Sequence, residues 1–248
     1  MKTEILYGSH PVLEALRAGR RQIIELYVVL GRPAPLQTDI VRLAQQRRIP
    51  IRKVTPAQLE SYTGTDVHQK IGAKVTAVAA DDLNRLLTRP SDPGTDPFYL
   101  LLDGVVDPRN LGALVRTAVC IGATAVITPK DRSAPFSAAA AKASAGAVEH
   151  ARLCRVTNMR ATVTALKKRG VWIVGLDRDG DASIYESDFT MPLGLVVGGE
   201  QKGLRPLVKK HCDFLVHIPQ KGPVDSLNAA VAGAVAMYEI FRQKMRPA

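Results

Sequence analysis

Three short stretches of the 248-residue chain set polar side chains and glycines at spacings that could do chemistry. In Asn110-x-Gly112-x-x-x-Arg116, the glycine and the arginine stand four residues apart, on one face of any helix that contains both. Asn110 is placed to cap such a helix, and a glycine beneath a guanidinium leaves room for something to approach. A capping asparagine and a solvated arginine would explain the same residues. In Gly198-Gly199-Glu200-x-x-Gly203-Leu204, an apolar run ends in two glycines, a carboxylate and a further glycine. The backbone can come close to a ligand here, and free amides can bind an anion or a carboxylate, although a tight turn also accounts for the glycines. The pattern is not a Walker loop, since no Gly-Lys-Ser/Thr follows, and the glycines do not have the GxGxxG spacing of dinucleotide sites. In the third stretch, Ser226-Leu227-Asn228 follows the turn Lys221-Gly222-Pro223 and opens onto a helix of Ala, Val and Gly. Asp225 or Ser226 would cap that helix. Side chains so small imply a bulky neighbour: a cofactor, a second subunit or another part of the same chain.

The elements that must position these stretches can be read from apolar spacing. Short runs rich in Val, Ile and Leu at Phe98 to Leu102, Ala125 to Ile127, Val171 to Leu176, Leu193 to Val197 and Phe214 to Ile218 read as strands. Most are separated by helical stretches, at Leu111 to Ile121, Ser137 to Ala147, Met159 to Arg169 and Leu227 to Arg242. Such alternation predicts a parallel sheet covered on both faces, in which ligands bind where strands end and helices begin. All three polar stretches fall at such junctions. Residues 1–80 show a smaller alternation. A helix through Val12, Leu13 and Leu16 precedes a strand Ile23 to Leu30, then come a basic amphipathic helix Leu36 to Arg48 and a last strand Lys74 to Ala79. Between the halves, residues 81–97 hold three prolines, a glycine and four acids, the composition of a linker. The domain organisation expected is therefore 1–80, a linker over 81–97, and 98–248.

The net charge of +11 raises the prospect of a polyanionic partner, because each Lys or Arg that neutralises a phosphate releases condensed counterions. Arg17, Arg20, Arg21, Arg47, Arg48, Lys209 and Lys210 are candidates to meet such a partner. No long uncharged apolar run and no leader-like start is present, so a soluble, intracellular (cytoplasmic) protein without membrane contact is expected. The three cysteines form no CxxC and have no His pair at zinc-ligand spacing, which predicts reduced, buried thiols and no metal. With aromatics at 5%, base stacking should not dominate recognition.

Taken in order, Asn110-x-Gly112-x-x-x-Arg116, Gly198-Gly199-Glu200-x-x-Gly203-Leu204, and Ile218-Pro219 followed by Ser226-Leu227-Asn228-x-Ala230-x-Ala232 resemble the three motifs of the SpoU (TrmH) family of RNA ribose 2'-O-methyltransferases. Gly8-x-His10-x-Val12-x-Glu14-Ala15-Leu16 and His68-Gln69 are similar to the ribosomal-protein-like substrate-binding domain of the branch that acts on ribosomal RNA guanosine. Where that branch tends to have a glycine directly after the Gln, this chain has Lys70.

The resemblance implies an α/β protein. A C-terminal parallel-sheet trefoil-knot (SPOUT) methyltransferase domain would follow a small N-terminal α/β substrate-binding domain. It also implies S-adenosylmethionine bent within the knot, RNA as substrate, and a homodimer through the catalytic domains. Arg116 would hold the substrate phosphate and stabilise charge on the attacking oxygen, and Glu200 would orient Arg116 or contact substrate. Asn110 and Asn228 would fix the cofactor and ribose region, and Ser226 would line it. Backbone groups around Leu176, Gly199, Ile218 and Leu227 would hold the adenosine. Ribosomal RNA is the substrate favoured, with transfer RNA, or a non-catalytic RNA-binding role, as alternatives.

Overall fold

The structure, a computed structural model, describes residues 3–31, 34–88 and 96–245. It comprises two compact units, one of residues 1–79 with 136–150 and one of residues 80–135 with 151–248.

In the first unit, β1 (Thr3–Tyr7), α1 (Ser9–Ala18), β2 (Ile23–Val29), α2 (Pro35–Gln46), β3 (Ile51–Val54), α3 (Pro56–Thr63) and β4 (Ile71–Thr76) form a four-stranded mixed sheet with helices packed on it. The strand order is β1-β4-β2-β3; β4 runs antiparallel to both neighbours, and β2 and β3 are parallel. Val12, Leu13 and Leu16 of α1 and Ile40 and Ala44 of α2 reach the same core as Leu6, Leu26, Ile71 and Val75. Both helices thus bury the apolar stripe that their spacing predicts. β1, a five-residue strand interrupted by Glu4, carries too short an apolar pattern to be legible in the sequence. Gln69 and Lys70 have φ of 55° and 60°, the left-handed region that favours glycine, so Lys70 occupies glycine's conformation at the position where the chain departs from the family pattern.

The second unit begins with α4 (Leu83–Thr88), whose Leu86 is buried in the larger core. Residues 81–88 of the expected linker are thus built into this unit, while 89–95 lie outside the described residues. There follow β5 (Phe98–Asp103), α5 (Pro108–Cys120) and β6 (Ala125–Pro129). Next come α6 (Ala138–Ala143) and a 3-10 turn (Ala147–Glu149), which belong to the first unit. Then come β7 (Leu153–Val156), α7 (Met159–Lys167), β8 (Trp172–Leu176), β9 (Ala182–Ser183), β10 (Leu193–Gly198), α8 (Pro206–Lys209), β11 (Phe214–His217) and α9 (Ala229–Lys244). The seven strands are all parallel, in the order β7-β6-β5-β10-β8-β11-β9.

The position of β11 gives this sheet its threading. β11 pairs with β8 on one side and with β9 on the other, yet β9 lies in the connection that runs from β8 to β10. A segment that follows β10 has therefore entered an earlier loop, the trefoil-knot arrangement and one of the rare exceptions to unthreaded topology. From there α9 packs along α5 and β10. A side chain at Gly233 would collide with Leu114 of α5, and Ala230 and Ala236 are buried beside it. The bulky neighbour of this small-residue helix is thus another part of the same chain.

Within the first unit, α6 and the 3-10 turn are held by ions as well as by Ala138 and Ala141 in the core. Arg21 is buried between Glu149 (2.7 Å) and Glu4 (2.7 Å), and Glu4 also accepts a hydrogen bond from the Ala138 amide (2.8 Å). Burial pushes the Glu149 carboxyl above its ordinary range, against the pull of Arg21. Arg21 is therefore a structural cation and not an RNA contact. Removing its partner would leave a buried charge uncompensated, which costs about 3–5 kcal/mol in such pairs. Arg17 pairs with Glu14 on the surface, while Arg47, Arg48 and Lys210 are exposed. Of the cysteines, Cys154 is buried, but Cys120 is exposed on the outer face of α5, contrary to the expectation of buried thiols.

Candidate active site

The three polar stretches meet at the C-terminal edge of the sheet. β5 ends at Asp103, the chain turns through Gly104, and Asp107 caps α5 by accepting from the Arg109 amide (2.8 Å), with Pro108 as the first helical residue. Asn110 is thus inside the helix and not its cap, and its side chain is free to look outward. β10 ends at Gly198, and the Gly199 backbone lies so close over Gly104 that a side chain at 199 would strike the Gly104 carbonyl. Glycine is required there by this close approach of two strand ends. Gly199 and Gly203 exchange backbone hydrogen bonds (3.0 and 3.2 Å), closing the turn that carries Glu200.

Asn110 Nδ2 donates to Glu200 Oε1 (2.7 Å), and Asn228 Nδ2 donates to Asn110 Oδ1 (3.0 Å). Asn228 Oδ1 accepts from the amides of Ala230 (2.8 Å) and Val231 (3.3 Å), so Asn228 caps α9 where Asp225 or Ser226 was expected. The polarity of this relay follows from its first member. An ionised carboxylate can only accept, so Asn110 must present its NH2 to Glu200 and its oxygen to Asn228, whose own oxygen is left for the helix amides. Burial pushes the Glu200 carboxyl up, but hydrogen bonds from Asn110 and from the backbone amides of Glu200, Val106 and Asp107 outweigh it and hold the group below its ordinary value. Three residues 90 and 118 positions apart are thereby joined in one hydrogen-bonded row.

Beside the row lies a cavity of about 610 Å3. Leu176, Gly199, Glu200, Ile218, Ser226 and Leu227 line it, so every residue expected to hold the adenosine faces this space. Arg116 stands apart. It is exposed on α5 beyond the buried Gly112, and among the described residues it has no hydrogen bond or ion pair; Glu200 holds Asn110 and not Arg116. Of the two roles expected for Glu200, contact with Arg116 is not made among the described residues, where Glu200 accepts from Asn110 instead.

Asp103, Arg205 and Asp177, which lie outside the three motifs, also shape the site, together with Lys209. Asp103, its side chain fully buried, accepts from the Arg205 amide (2.9 Å) and from Arg205 Nε (2.7 Å), which ties the far end of the Glu200 turn to the end of β5. Asp177 and Lys209 form an ion pair (3.0 Å) in the cavity wall, so Lys209 turns inward and not toward an RNA backbone. Asp103 and Asp177 share a readable signal: each is the carboxylate that ends an apolar strand run. Among the described residues no cluster of three or more His, Cys, Asp or Glu could hold a metal, and no helix is long and apolar enough to cross a membrane.

Comparison with known proteins places this arrangement. Residues 97–238 match the model of the SpoU rRNA methylase family, and residues 5–80 match that of the RNA 2'-O ribose methyltransferase substrate-binding domain. The chain is 38% identical to the 23S rRNA (guanosine-2'-O-)-methyltransferase RlmB of Pseudomonas putida, over 97% of each chain. It is 40% identical to the RlmB of Photorhabdus laumondii, over 98% of this chain and 99% of that one. Among solved structures, the SpoU methyltransferase AviRb from Streptomyces viridochromogenes, in complex with the cofactor AdoMet, superposes with a TM-score of 0.81 at 26% identity, covering 98% of this chain and 91% of that one. With its threaded sheet, its three motifs and both family models matched over most of its length, the chain belongs to the SpoU rRNA methylase family.

Proposed function

We propose that this chain transfers a methyl group from S-adenosylmethionine to the ribose 2'-hydroxyl of an RNA, specifically a guanosine of 23S ribosomal RNA. The observation that carries the reading is the row Glu200–Asn110–Asn228, which joins all three family motifs and whose Glu200 lines the 610 Å3 cavity. Full-length relatives with that activity support the substrate, and the AdoMet complex of AviRb supports the cofactor. The cavity fits such a group: its volume suits a small-molecule site, Leu176, Leu204 and Leu227 offer apolar walls for a flat base, and strand-end backbone at Gly199 and Ile218 can meet the base's edges.

When bound, S-adenosylmethionine supplies an electrophilic methyl on a sulfonium. The chain's own task is to bring the 2'-oxygen in line behind that methyl and to ease loss of its proton. Arg116 cannot act as a base, because a guanidinium stays protonated; it holds the substrate phosphate and stabilises negative charge as it develops on the attacking oxygen. The proton passes to a phosphate oxygen or a water. Asn110 and Asn228 keep the ribose and cofactor regions in register, and Glu200 orients Asn110. Ser226 lines the site, and the backbone around Leu176, Gly199, Ile218 and Leu227 holds the adenosine. Residues 1–80 recruit the RNA, with Arg47 and Arg48 among the exposed cations available to its backbone. The protein works in the cytoplasm as a homodimer through the catalytic domains. The outward residues Val231, Tyr238 and Met245 of α9 and its end, half or more exposed here, support that interface.

Transfer of labelled methyl to 23S ribosomal RNA and, in parallel, transfer RNA, each lacking its natural ribose marks, tests the reading, with Arg116→Ala as control. Label at a ribose of 23S RNA, lost in the variant, is expected. Label only in transfer RNA would overturn the substrate, and none in either would overturn the enzyme.

A further inference from the structure

Of the charged side chains that line the cavity, most are accounted for. Glu200 is held by Asn110, and Arg178 and Asp179 pair with each other (3.4 Å) on the exposed rim. Asp177 is different, because its side chain is only 13% exposed and lies in the cavity wall directly after the last residue of β8. Its backbone is fastened on both sides: its amide donates to the Val216 carbonyl (3.0 Å) and its carbonyl accepts from the Gly180 amide (3.1 Å). Its Oδ1 accepts from the Asp179 amide (3.1 Å) and from Lys209 Nζ (3.0 Å). Oδ2 has no partner among the described residues. A mostly buried carboxylate with one oxygen doubly used and the other open is poised for a donor that arrives with a ligand.

Resting on the proposed function, we propose that Asp177 recognises the ribose diol of the cofactor's adenosine, and that Lys209 is the positioning residue that holds it. Two features select this donor. A carboxylate at the end of a parallel strand can accept from vicinal ribose hydroxyls, which are neutral donors side by side on one ring. Lys209 has already matched the charge of Asp177, which disfavours a second ammonium there, whereas neutral hydroxyls add hydrogen bonds without adding charge. Leu176 and Leu227, in the same cavity, leave the adenine to apolar walls and strand-end backbone.

Calorimetric titration of the intact protein with S-adenosylhomocysteine and with its 2'-deoxy and 3'-deoxy analogues tests this without any turnover. Binding of S-adenosylhomocysteine by the unaltered protein reports on the functional reading; no binding would overturn both that reading and the diol assignment. Given binding, the unaltered protein should lose about tenfold in affinity for at least one deoxy analogue. Asp177→Ala should bind S-adenosylhomocysteine about tenfold more weakly and no longer distinguish it from that analogue. Lys209→Met should shrink the same discrimination. Equal affinity of the unaltered protein for all three ligands would overturn the assignment with no variant needed, as would an Asp177→Ala protein that keeps the full discrimination.

Discussion

Asn228→Asp separates the two tasks of one side chain. A carboxylate at 228 still accepts from the Ala230 and Val231 amides, and a negative charge at a helix N-terminus is favourable by about 0.3–1 kcal/mol, so α9 stays capped. What is lost is the donor to Asn110 Oδ1, now replaced by an oxygen facing an oxygen across 3.0 Å. Asn110 cannot repair this by turning its amide, because the NH2 it would offer residue 228 is the one held by Glu200 at 2.7 Å. One hydrogen bond between two neutral amides is therefore forfeited, and the Asn110 oxygen is left facing a carboxylate oxygen. In the free protein the exposed ends of the row reach water and the loss is small. In the closed complex water is excluded, and the about 1–3 kcal/mol cost of an unsatisfied buried acceptor should appear in the barrier, roughly a fivefold to hundredfold drop in turnover. Asn228→Ala removes the cap as well, costing about 1 kcal/mol and lowering the melting temperature by about 2–4 °C. Methyl transfer under single-turnover conditions, together with thermal melts of both variants, measures the separation. An Asn228→Asp protein with unaltered turnover, or one that melts as low as Asn228→Ala, would refute the relay.

Arg116→Lys should lose about a hundredfold in turnover, because a point charge does not reproduce the planar fork, while the melting temperature and S-adenosylhomocysteine affinity stay unchanged, since Arg116 is exposed and has no hydrogen bond or ion pair among the described residues; near-normal turnover in the same assay would count against it. Lys70→Gly removes a left-handed conformation that costs an L-residue about 1 kcal/mol or more, so its melting temperature should rise by about 2–4 °C, and a fall would show that the strain is relieved elsewhere. Glu200 gives a pH signature. Its folded pKa lies below the ordinary 4.5, so its contribution to stability is fully present above about pH 4.5 and fades as pH falls through the folded value. The stability gap between the protein and Glu200→Gln should therefore be flat from about pH 6 to 8 and narrow below about 4.5; a gap that widens on acidification would reverse the sign of the inference.

Much of the fold is legible in the chain because fully buried parallel strands have to be apolar runs. Phe98–Asp103 and Leu193–Gly198 are buried along their whole length, and both stand out as such runs. β9, with two residues, and β7, with an arginine in its four, carry too short a pattern to register. The caps were misplaced for a local reason. Asp107-Pro108 is itself a helix-start signal, with the acid capping and the proline at the first turn, and it outranks Asn110 three positions on. At α9, Asp225, Ser226 and Asn228 are all good caps, and a run of Ala, Val and Gly has no periodicity to choose among them. Arg21 could not be told from its basic neighbours, because its partner Glu149 lies 128 positions away.

That last difficulty and the active site have the same origin, contacts between residues far apart in sequence, but the site left a trace and the ion pair did not. Insertion of β11 between β8 and β9 sets the ends of β8, β10 and β11 side by side. Each end then has to supply what its neighbour lacks: a glycine backbone where Gly199 crosses Gly104, a carboxylate at Glu200, an amide that can donate and accept at Asn110, and a second such amide at Asn228 that also caps a helix. The order of those side chains follows from their chemistry: the carboxylate, which only accepts, ends the row, and Asn228 caps α9 through its oxygen while donating outward through its NH2. A threaded sheet thus turns a long-range hydrogen-bond requirement into three local sequence signals.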